Sequence, residues 1–235
     1  MKKKFDYSYV IIVLCFLTIS TSLGLCSSNR SMYFTAINDV FEGSFTEFEY
    51  SFTMTIRYIS TTVMSMFFGV LVNKFETKLL MSSGFVSLIS FALINSYATH
   101  LLHFYIASIF LGVGLSLTST TMVSAVINNW VTKNKGTVTG AVLAANGLGG
   151  AAAAQILSPI IFSNGGHGFR NAYRLVAIIL AVVLVLILVF FKERPKGAEK
   201  NVIPKHKNRK MRGEGWIGMD FAEVKRKPYF YLAIV

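Results

Sequence analysis

The feature that most constrains the fold is an uncharged run over residues 136–162, which reads GTVTGAVLAANGLGGAAAAQILSPIIF. A run of this length crosses the hydrocarbon of a bilayer as one helix. Similar runs with no charge or a single charge recur along the chain, at about residues 7–29, 50–72, 79–99, 104–130 and 175–191. We therefore predict an all-α membrane protein, a bundle of six transmembrane helices that we number spans 1 to 6.

The composition supports the membrane class and argues against a nucleic-acid partner. Hydrophobic residues make up 53% of the chain and charged residues 14%, whereas a soluble domain averages about 25% charged. The net charge of +12 would suit nucleic acid, but most basic residues lie in short connectors between the apolar runs. The first run is longer than the core of a secretory signal, so we interpret it as a retained span.

The basic residues also predict the orientation of the bundle, because Lys and Arg concentrate in cytoplasmic loops. With six spans, the N-terminus, the loops after spans 2 and 4 and everything after residue 191 lie on one side. That side holds Lys2, Lys3, Lys4, Lys74, Lys78, Lys133, Lys135 and the basic residues between positions 192 and 227. We predict a multi-pass protein of the plasma membrane whose N-terminus and linker are cytoplasmic.

The chain divides into three predicted parts. Residues 1–191 form the six-span bundle, and residues 192–228 form a basic linker, either a solvated anchor or a surface for anionic lipid. Residues 229–235 read YFYLAIV and are too few to cross a bilayer. We interpret them as the start of a truncated seventh span.

Span 5 carries a stripe of small residues spaced three or four apart, which places them on one helix face. In lipid, close backbone approach holds helices together, and small residues permit that approach. We predict that Gly140 and Gly147 pack against a partner helix, on a face that either stays static or slides. The stripe consists of Gly136, Gly140, Ala144, Gly147, Ala151, Ala154 and Ser158.

Arg57 is the one charge inside a predicted span and the sharpest candidate for a functional residue. An unpaired cation at membrane depth costs about 2.5–3.5 kcal/mol on insertion scales. Arg57 is therefore expected to face the interior and meet an anion, either a substrate or a buried acidic partner. The remaining alternative is that its side chain extends towards the outer face of the membrane.

Polar residues at helical spacing indicate two walls of a polar path, one in span 4 and one in span 2. They are Ser116, Thr120, Ser124 and Asn128 in span 4, and Ser51, Thr55, Tyr58, Thr62 and Ser65 in span 2. Asn146, near the middle of span 5, is a further polar candidate. Hydroxyls bonded to their own backbone explain such series as well. The chain has no pattern for a metal, a cofactor or a catalytic nucleophile, so we predict no enzyme.

The loop between spans 2 and 3 reads GVLVNKFETK and resembles the G-x-x-x-D-R-x-G-R-R/K motif of the major facilitator superfamily. Gly69 and Lys78 match this motif, Lys74 stands for its arginine, and Asn73 replaces its acidic residue. Gly149 and Gly150 match the glycine pair of the superfamily's antiporter motif, G-P-x-x-G-G. The run NNWVTKNKGTVTGAVLAANGLGG is similar to the lead into span 5 of the monocarboxylate and oxalate/formate members, and FAEVKRKPYFYL to their lead into span 7.

The resemblance implies the N-terminal half of a transporter that works by alternating access and is built from inverted three-helix repeats. Its substrate would be a small organic anion, a monocarboxylate or dicarboxylate, moved with a coupling proton or exchanged for another anion. Its partners would be a C-terminal half and membrane lipids. A truncated or non-transporting remnant of such a carrier is the alternative.

The candidate residues divide into two groups under this resemblance. The gating group comprises Gly69, Asn73, Lys74, Lys78, Gly140, Gly147, Gly149 and Gly150. The polar residues selected above would line the substrate path: Arg57, Asn146, Ser116, Thr120 and Thr62.

Overall fold

The computed structural model describes residues 7–41, 46–131, 134–163 and 167–192. The regular structure in these ranges is helical: α1 Ser8–Ile19, a π-helical stretch Ser20–Leu25, α2 Arg30–Val40, α3 Glu47–Lys74, α4 Thr77–Ser96, α5 Leu101–Leu117, α6 Thr120–Trp130, α7 Lys135–Leu143, α8 Ala145–Ile161 and α9 Phe169–Phe190. The predicted linker and seventh span, at residues 192–235, lie outside the described residues except for Lys192.

Six helical segments are long and apolar enough to cross a membrane, which confirms the predicted all-α six-span fold. Span 1 is Ser8–Val40, span 2 Phe48–Lys74, span 3 Thr77–Ser96, span 4 Leu101–Trp130, span 5 Lys135–Ile161 and span 6 Phe169–Phe190. We call the end that carries Lys74, Lys78 and Lys135 the basic end of the bundle, and the other the opposite end.

Span 1 is longer than predicted, because helical structure continues from position 30 to Val40 instead of ending near residue 29. The sequence pattern stopped at Arg30, where the uncharged run ends. The helix continues because Tyr33, Ala36 and Ile37 recur three and four residues apart and bury one face of α2. Burial of that face outweighs the single charge at its start.

The π-helical stretch lies where span 1 meets span 5. A Cβ on Gly24 would lie 2.7 Å from the backbone nitrogen of Gly150 and 2.8 Å from the carbonyl carbon of Gly149. The Asn29 side-chain amide donates to the carbonyls of Gly24, at 3.4 Å, and Gly150, at 3.3 Å. The two spans are therefore in backbone contact, and we call this contact, formed by Ser20, Gly24, Asn29, Gly149 and Gly150, the glycine seam.

Span 2 begins with a capping box. The Thr46 hydroxyl accepts a hydrogen bond from the Glu49 backbone nitrogen at 3.2 Å, and the Glu49 carboxylate accepts one from the Thr46 nitrogen at 2.9 Å. These reciprocal bonds satisfy backbone donors that a helix start leaves unpaired. The helix packs against α5, where a Cβ on Gly112 would lie 2.6 Å from the Arg57 carbonyl oxygen.

Span 4 is predicted as one helix but is interrupted near its middle. Helix α5 ends at Leu117 and α6 begins at Thr120, with Ser119 accepting a hydrogen bond from the Met122 nitrogen at 3.3 Å. A serine N-cap followed by a new helix start explains the interruption without glycine or proline. As a result, Ser116 and Thr120 belong to different helices.

Span 6 begins six residues before the predicted start at 175, because two arginines lie in the first turns of α9 and bond the end of α4. Arg170 Nη2 donates to the Ala98 carbonyl at 3.3 Å, and Arg174 Nε donates to the Ser96 hydroxyl at 3.1 Å. Cations are favourable at a helix C-terminus, where backbone carbonyls lack helical partners. These bonds hold spans 3 and 6 together at the opposite end.

Candidate functional site

A cavity of about 20 Å³ lies between spans 1, 2, 3, 4 and 6, and this volume accommodates one or two water molecules. Its lining includes two arginines, Arg30 and Arg57, and three tyrosines, Tyr33, Tyr50 and Tyr173. We call this feature the arginine cavity. It combines positive charge with aromatic walls inside the membrane-spanning part of the protein.

Arg57 is 7% exposed, the lowest exposure of a described charged side chain. It is buried because it shares a helix face with Tyr50 and Thr53, which are spaced three and four residues apart along α3. Its Nη1 donates to the Ser27 hydroxyl at 2.8 Å, and its guanidinium carbon lies 4.4 Å from the Tyr58 ring centre. Both of these partners are neutral.

The acidic side chains that the structure describes lie away from Arg57. Glu49 is bonded within the capping box, and Asp39 and Glu76 are exposed, at the end of α2 and the start of α4. Among the described residues, therefore, hydrogen bonding and a ring contact stabilise the Arg57 charge without a carboxylate. Burying a cation in this way is costly unless an anion joins it.

Arg30 is the second cation of the cavity, and the sequence pattern did not identify it as a functional residue. Its Nη2 donates to the Tyr50 carbonyl at 3.3 Å, and its guanidinium carbon lies 4.8 Å from the Tyr50 ring centre. Arg30 is half-buried at the start of α2. The spacing of Tyr33, Ala36 and Ile37 is the sequence signal that could have revealed Arg30, because it predicts that the helix continues beyond Arg30 and places Arg30 inside the span.

The aromatic wall of the cavity is built around Tyr173 of span 6. The Tyr33 ring stacks on Tyr173 with centres 4.2 Å apart, and Phe91 meets Tyr173 edge-on at 5.8 Å. Tyr33 is 4% exposed, and no described residue accepts or donates a hydrogen bond at its hydroxyl. Buried hydroxyls of folded proteins are ordinarily hydrogen-bonded.

The other residues predicted for the substrate path do not line this cavity. Thr62 is exposed on span 2, where it forms a shallow groove of about 380 Å³ with Thr55 and Tyr58. Ser116 is buried, and its hydroxyl lies 3.2 Å from that of Ser65. The remaining two, Thr120 and Asn146, are exposed on α6 and α8.

The glycines predicted for gating divide into a buried pair and three glycines with open surroundings. Gly149 and Gly150 are buried in the glycine seam. A Cβ added at Gly69, Gly140 or Gly147 would meet no described atom within 4 Å. Within this chain, therefore, close packing of span 5 uses the seam pair and leaves the Gly140 face open.

The basic residues of the loop between spans 2 and 3 lie at the surface. Asn73 and Lys74 are exposed and Lys78 is half-buried. The Lys74 ammonium lies 5.7 Å from the Phe75 ring centre. The charges of the motif are thus available to a partner at the basic end.

Residues 8–235 match the sequence profile of the Major Facilitator Superfamily. Over 158 residues the chain is 26% identical to an uncharacterized MFS-type transporter, YcxA, of Bacillus subtilis (strain 168). This alignment covers 66% of the chain and 38% of the relative, so the matched part of the chain spans well under half the length of the curated relative. Both matches concern the superfamily, and similarity to the monocarboxylate and oxalate/formate type stays a prediction.

Proposed function

Because the chain belongs to the Major Facilitator Superfamily, we propose that it is the N-terminal half of a secondary transporter that moves a small organic anion by alternating access. The observation that carries the substrate class is Arg57, a cation buried in a cavity of spans 1, 2, 3, 4 and 6 with neutral described partners. The arginine cavity is the binding site for the anion.

The chemistry of the guanidinium supports an anionic ligand with a carboxylate. Arg presents five N–H donors in a planar fork, and the hydrogen bond to Ser27 uses one of them. A carboxylate accepts two parallel N–H bonds from such a fork and supplies the compensating charge. The bound anion then removes the electrostatic cost of burying Arg57, and the same cost disfavours an empty, closed site.

The open faces of spans 2 and 5 support the alternating-access part of the proposal. The groove beside Thr62 is open and is lined by Ile59 and Val63 as well as by polar residues. The surface at Gly140 and Gly147 is equally uncovered by described residues. In the proposed transporter these faces meet a C-terminal half, and Asn73, Lys74 and Lys78 fasten the basic end when it closes. The anion moves with a coupling proton or in exchange for a second anion across the plasma membrane.

Uptake by the full-length gene product in proteoliposomes tests the function. Labelled malonate, succinate, propionate and butyrate serve as probes, and Arg57→Gln is compared with Arg57→Lys. We expect Arg57→Gln to reduce uptake at least about tenfold and Arg57→Lys to retain part of it, because Lys keeps the charge but loses the planar fork.

Arg174→Gln is the matched control, since Arg174 bonds Ser96 at the opposite end and does not line the cavity. Uptake that survives Arg57→Gln at the level of this control would contradict the proposed site. Absence of uptake of all four probes by the folded protein would contradict the proposed substrate class.

A further inference from the structure

We propose that Arg30 and Tyr33 form a second anchor beside Arg57, so that the arginine cavity selects short dicarboxylates over monocarboxylates. This inference rests on the proposed function and specifies its substrate class. It is carried by two observations that the sequence pattern did not reveal, a second arginine in the same cavity and a buried tyrosine hydroxyl without a described partner.

The geometry of span 1 brings the two residues together. Arg30 and Tyr33 are three residues apart on α2, so they lie on neighbouring positions of one helix face. Both line the cavity that Arg57 reaches from α3. Tyr50 connects the two helices, because its carbonyl and its ring both contact the Arg30 guanidinium.

The charge of the cavity favours a dianion. The described partners of both guanidiniums are neutral: a hydroxyl and a ring for Arg57, a carbonyl and a ring for Arg30. A monocarboxylate would compensate one of these cations and leave the other facing the same small cavity. Two carboxylates compensate both, and each ion pair gains in strength because water is largely displaced.

Tyr33 adds a donor for a ligand oxygen. Its ring is fixed by stacking on Tyr173 at 4.2 Å, so its hydroxyl cannot easily turn towards another partner. A phenylalanine would fill the same volume without burying an unpartnered polar atom. The hydroxyl is therefore placed to donate to the carboxylate that Arg30 holds.

The size of the cavity restricts the length of the ligand. The available volume of about 20 Å³ corresponds to one or two water molecules, and Phe91 and Tyr173 close the side towards spans 3 and 6. A dicarboxylate is larger than this water, so the side chains that line the cavity must move apart to admit it, and they must move further for each added methylene. We therefore expect malonate to bind more tightly than succinate.

Binding to the full-length gene product in detergent, measured by calorimetry, tests the second anchor. The probes are two pairs of equal carbon number, malonate with propionate and succinate with butyrate, together with sulfate as a dianion that has no second carboxylate. We expect malonate to bind at least about tenfold more tightly than propionate, since a charge-assisted bond contributes that much or more. Sulfate is expected to bind more weakly than malonate.

Two substitutions remove the anchor one group at a time. Arg30→Gln should lower malonate affinity at least about tenfold while propionate affinity changes less than about threefold. Tyr33→Phe should weaken malonate several-fold and leave propionate nearly unchanged. Tyr105→Phe is the matched control, because it removes a hydroxyl that donates to the Glu49 carbonyl at 3.2 Å outside the cavity lining.

The outcomes separate this inference from the proposed function. If Arg57→Gln abolishes binding of every probe while Arg30→Gln and Tyr33→Phe alter none, the anion site stands and the second anchor is overturned. Equal affinity for malonate and propionate, or sulfate binding as tight as malonate, also overturns it. If no carboxylate binds the folded wild-type protein, the proposed function itself fails.

Discussion

The two faces of span 5 use the same residue type for opposite purposes. On one face, Gly149 and Gly150 lie in the glycine seam, where a Cβ on Gly149 would come within 2.5 Å of the Ser20 carbonyl oxygen. On the other face, a Cβ on Gly140 or Gly147 would meet no described atom within 4 Å. A glycine stripe in a membrane helix thus does not by itself show whether its face is packed against another helix or open. Which of the two applies depends on whether the backbone of a neighbouring helix lies against the glycines.

Among substitutions on the two faces of span 5, Gly149→Leu should lower the folding free energy most. The new side chain would collide with the Ser20 backbone, which cannot move without displacing span 1. We expect a loss of about 3 kcal/mol or more of folding free energy, the upper range for overpacking. Folded yield and apparent melting temperature of the full-length gene product in detergent measure it. Wild-type stability of Gly149→Leu would mean that spans 1 and 5 do not meet in the glycine seam.

An intermediate effect is expected from a matched pair on α7. Val142 is 1% exposed and faces the core, so Val142→Leu adds volume to a packed site and should cost about 1–2 kcal/mol. Gly140→Leu, two residues away on the open face, should change the stability of this bundle by about 0.5 kcal/mol or less. The same melting assay compares the two.

A transport measurement on the Gly140→Leu variant then tests whether another helix packs on the open face. If a C-terminal half packs on the open face in one of the two access states, as proposed, Gly140→Leu should disfavour that state and lower uptake, while the other state keeps the melting temperature nearly unchanged. Reversed stabilities of the Val142 and Gly140 variants would contradict the assignment of the two faces. Normal uptake by stable Gly140→Leu protein would show that the open face has no closely packed partner.

The smallest effect is expected at Asn73, in the exposed loop after span 2. Asn73→Asp restores the acidic charge of the superfamily motif, and a charge-assisted hydrogen bond to a helix N-terminus of the other half should add about 1 kcal/mol to the closed basic end. A cysteine at Asn128, with Cys15 and Cys26 replaced, should then react more slowly with a thiol reagent.

A cysteine at Thr35 provides the reciprocal measurement, because Thr35 is exposed on α2 towards the opposite end. Its labelling should rise when that at position 128 falls. Unchanged or faster labelling at position 128 would leave Asn73 as an ordinary loop residue.

The six spans were predictable because an uncharged run of sufficient length has few alternatives to a membrane helix. Their ends were less predictable where charge and burial oppose each other. Arg30 and Arg174 were placed outside the helices, yet both lie within them, since one binds the Tyr50 carbonyl and the other the end of α4. The interruption at Ser119 was not visible either, because serine and threonine serve equally as caps and as interior residues of membrane helices.

The candidate site was only partly visible in the sequence. Arg57 could be selected because it is the single charge within an apolar run. Arg30 and Tyr33 could not, because their importance depends on the packing of Tyr50 from span 2 and Tyr173 from span 6 against span 1. Thr62 shares a groove with Thr55 and Tyr58, but helical spacing alone does not tell whether such a face points into the bundle or away from it.

The π-helical stretch of span 1 has a consequence for insertions and deletions. A π-helix closes its hydrogen bonds over one residue more per turn than an α-helix does. Here the stretch lies between Thr18 and the cavity residues Arg30 and Tyr33. Removing Thr21, Ser22 or Leu23, which belong neither to the glycine seam nor to the cavity lining, can convert the stretch to α-helix while both flanks keep their neighbours. A deletion within α1 instead turns the preceding residues by about 100° relative to the rest of the span. Single deletions of Thr21, Ser22 or Leu23 should therefore give higher folded yields than single deletions in Ser8–Ile19. Relatives of different length in span 1 can retain the same cavity.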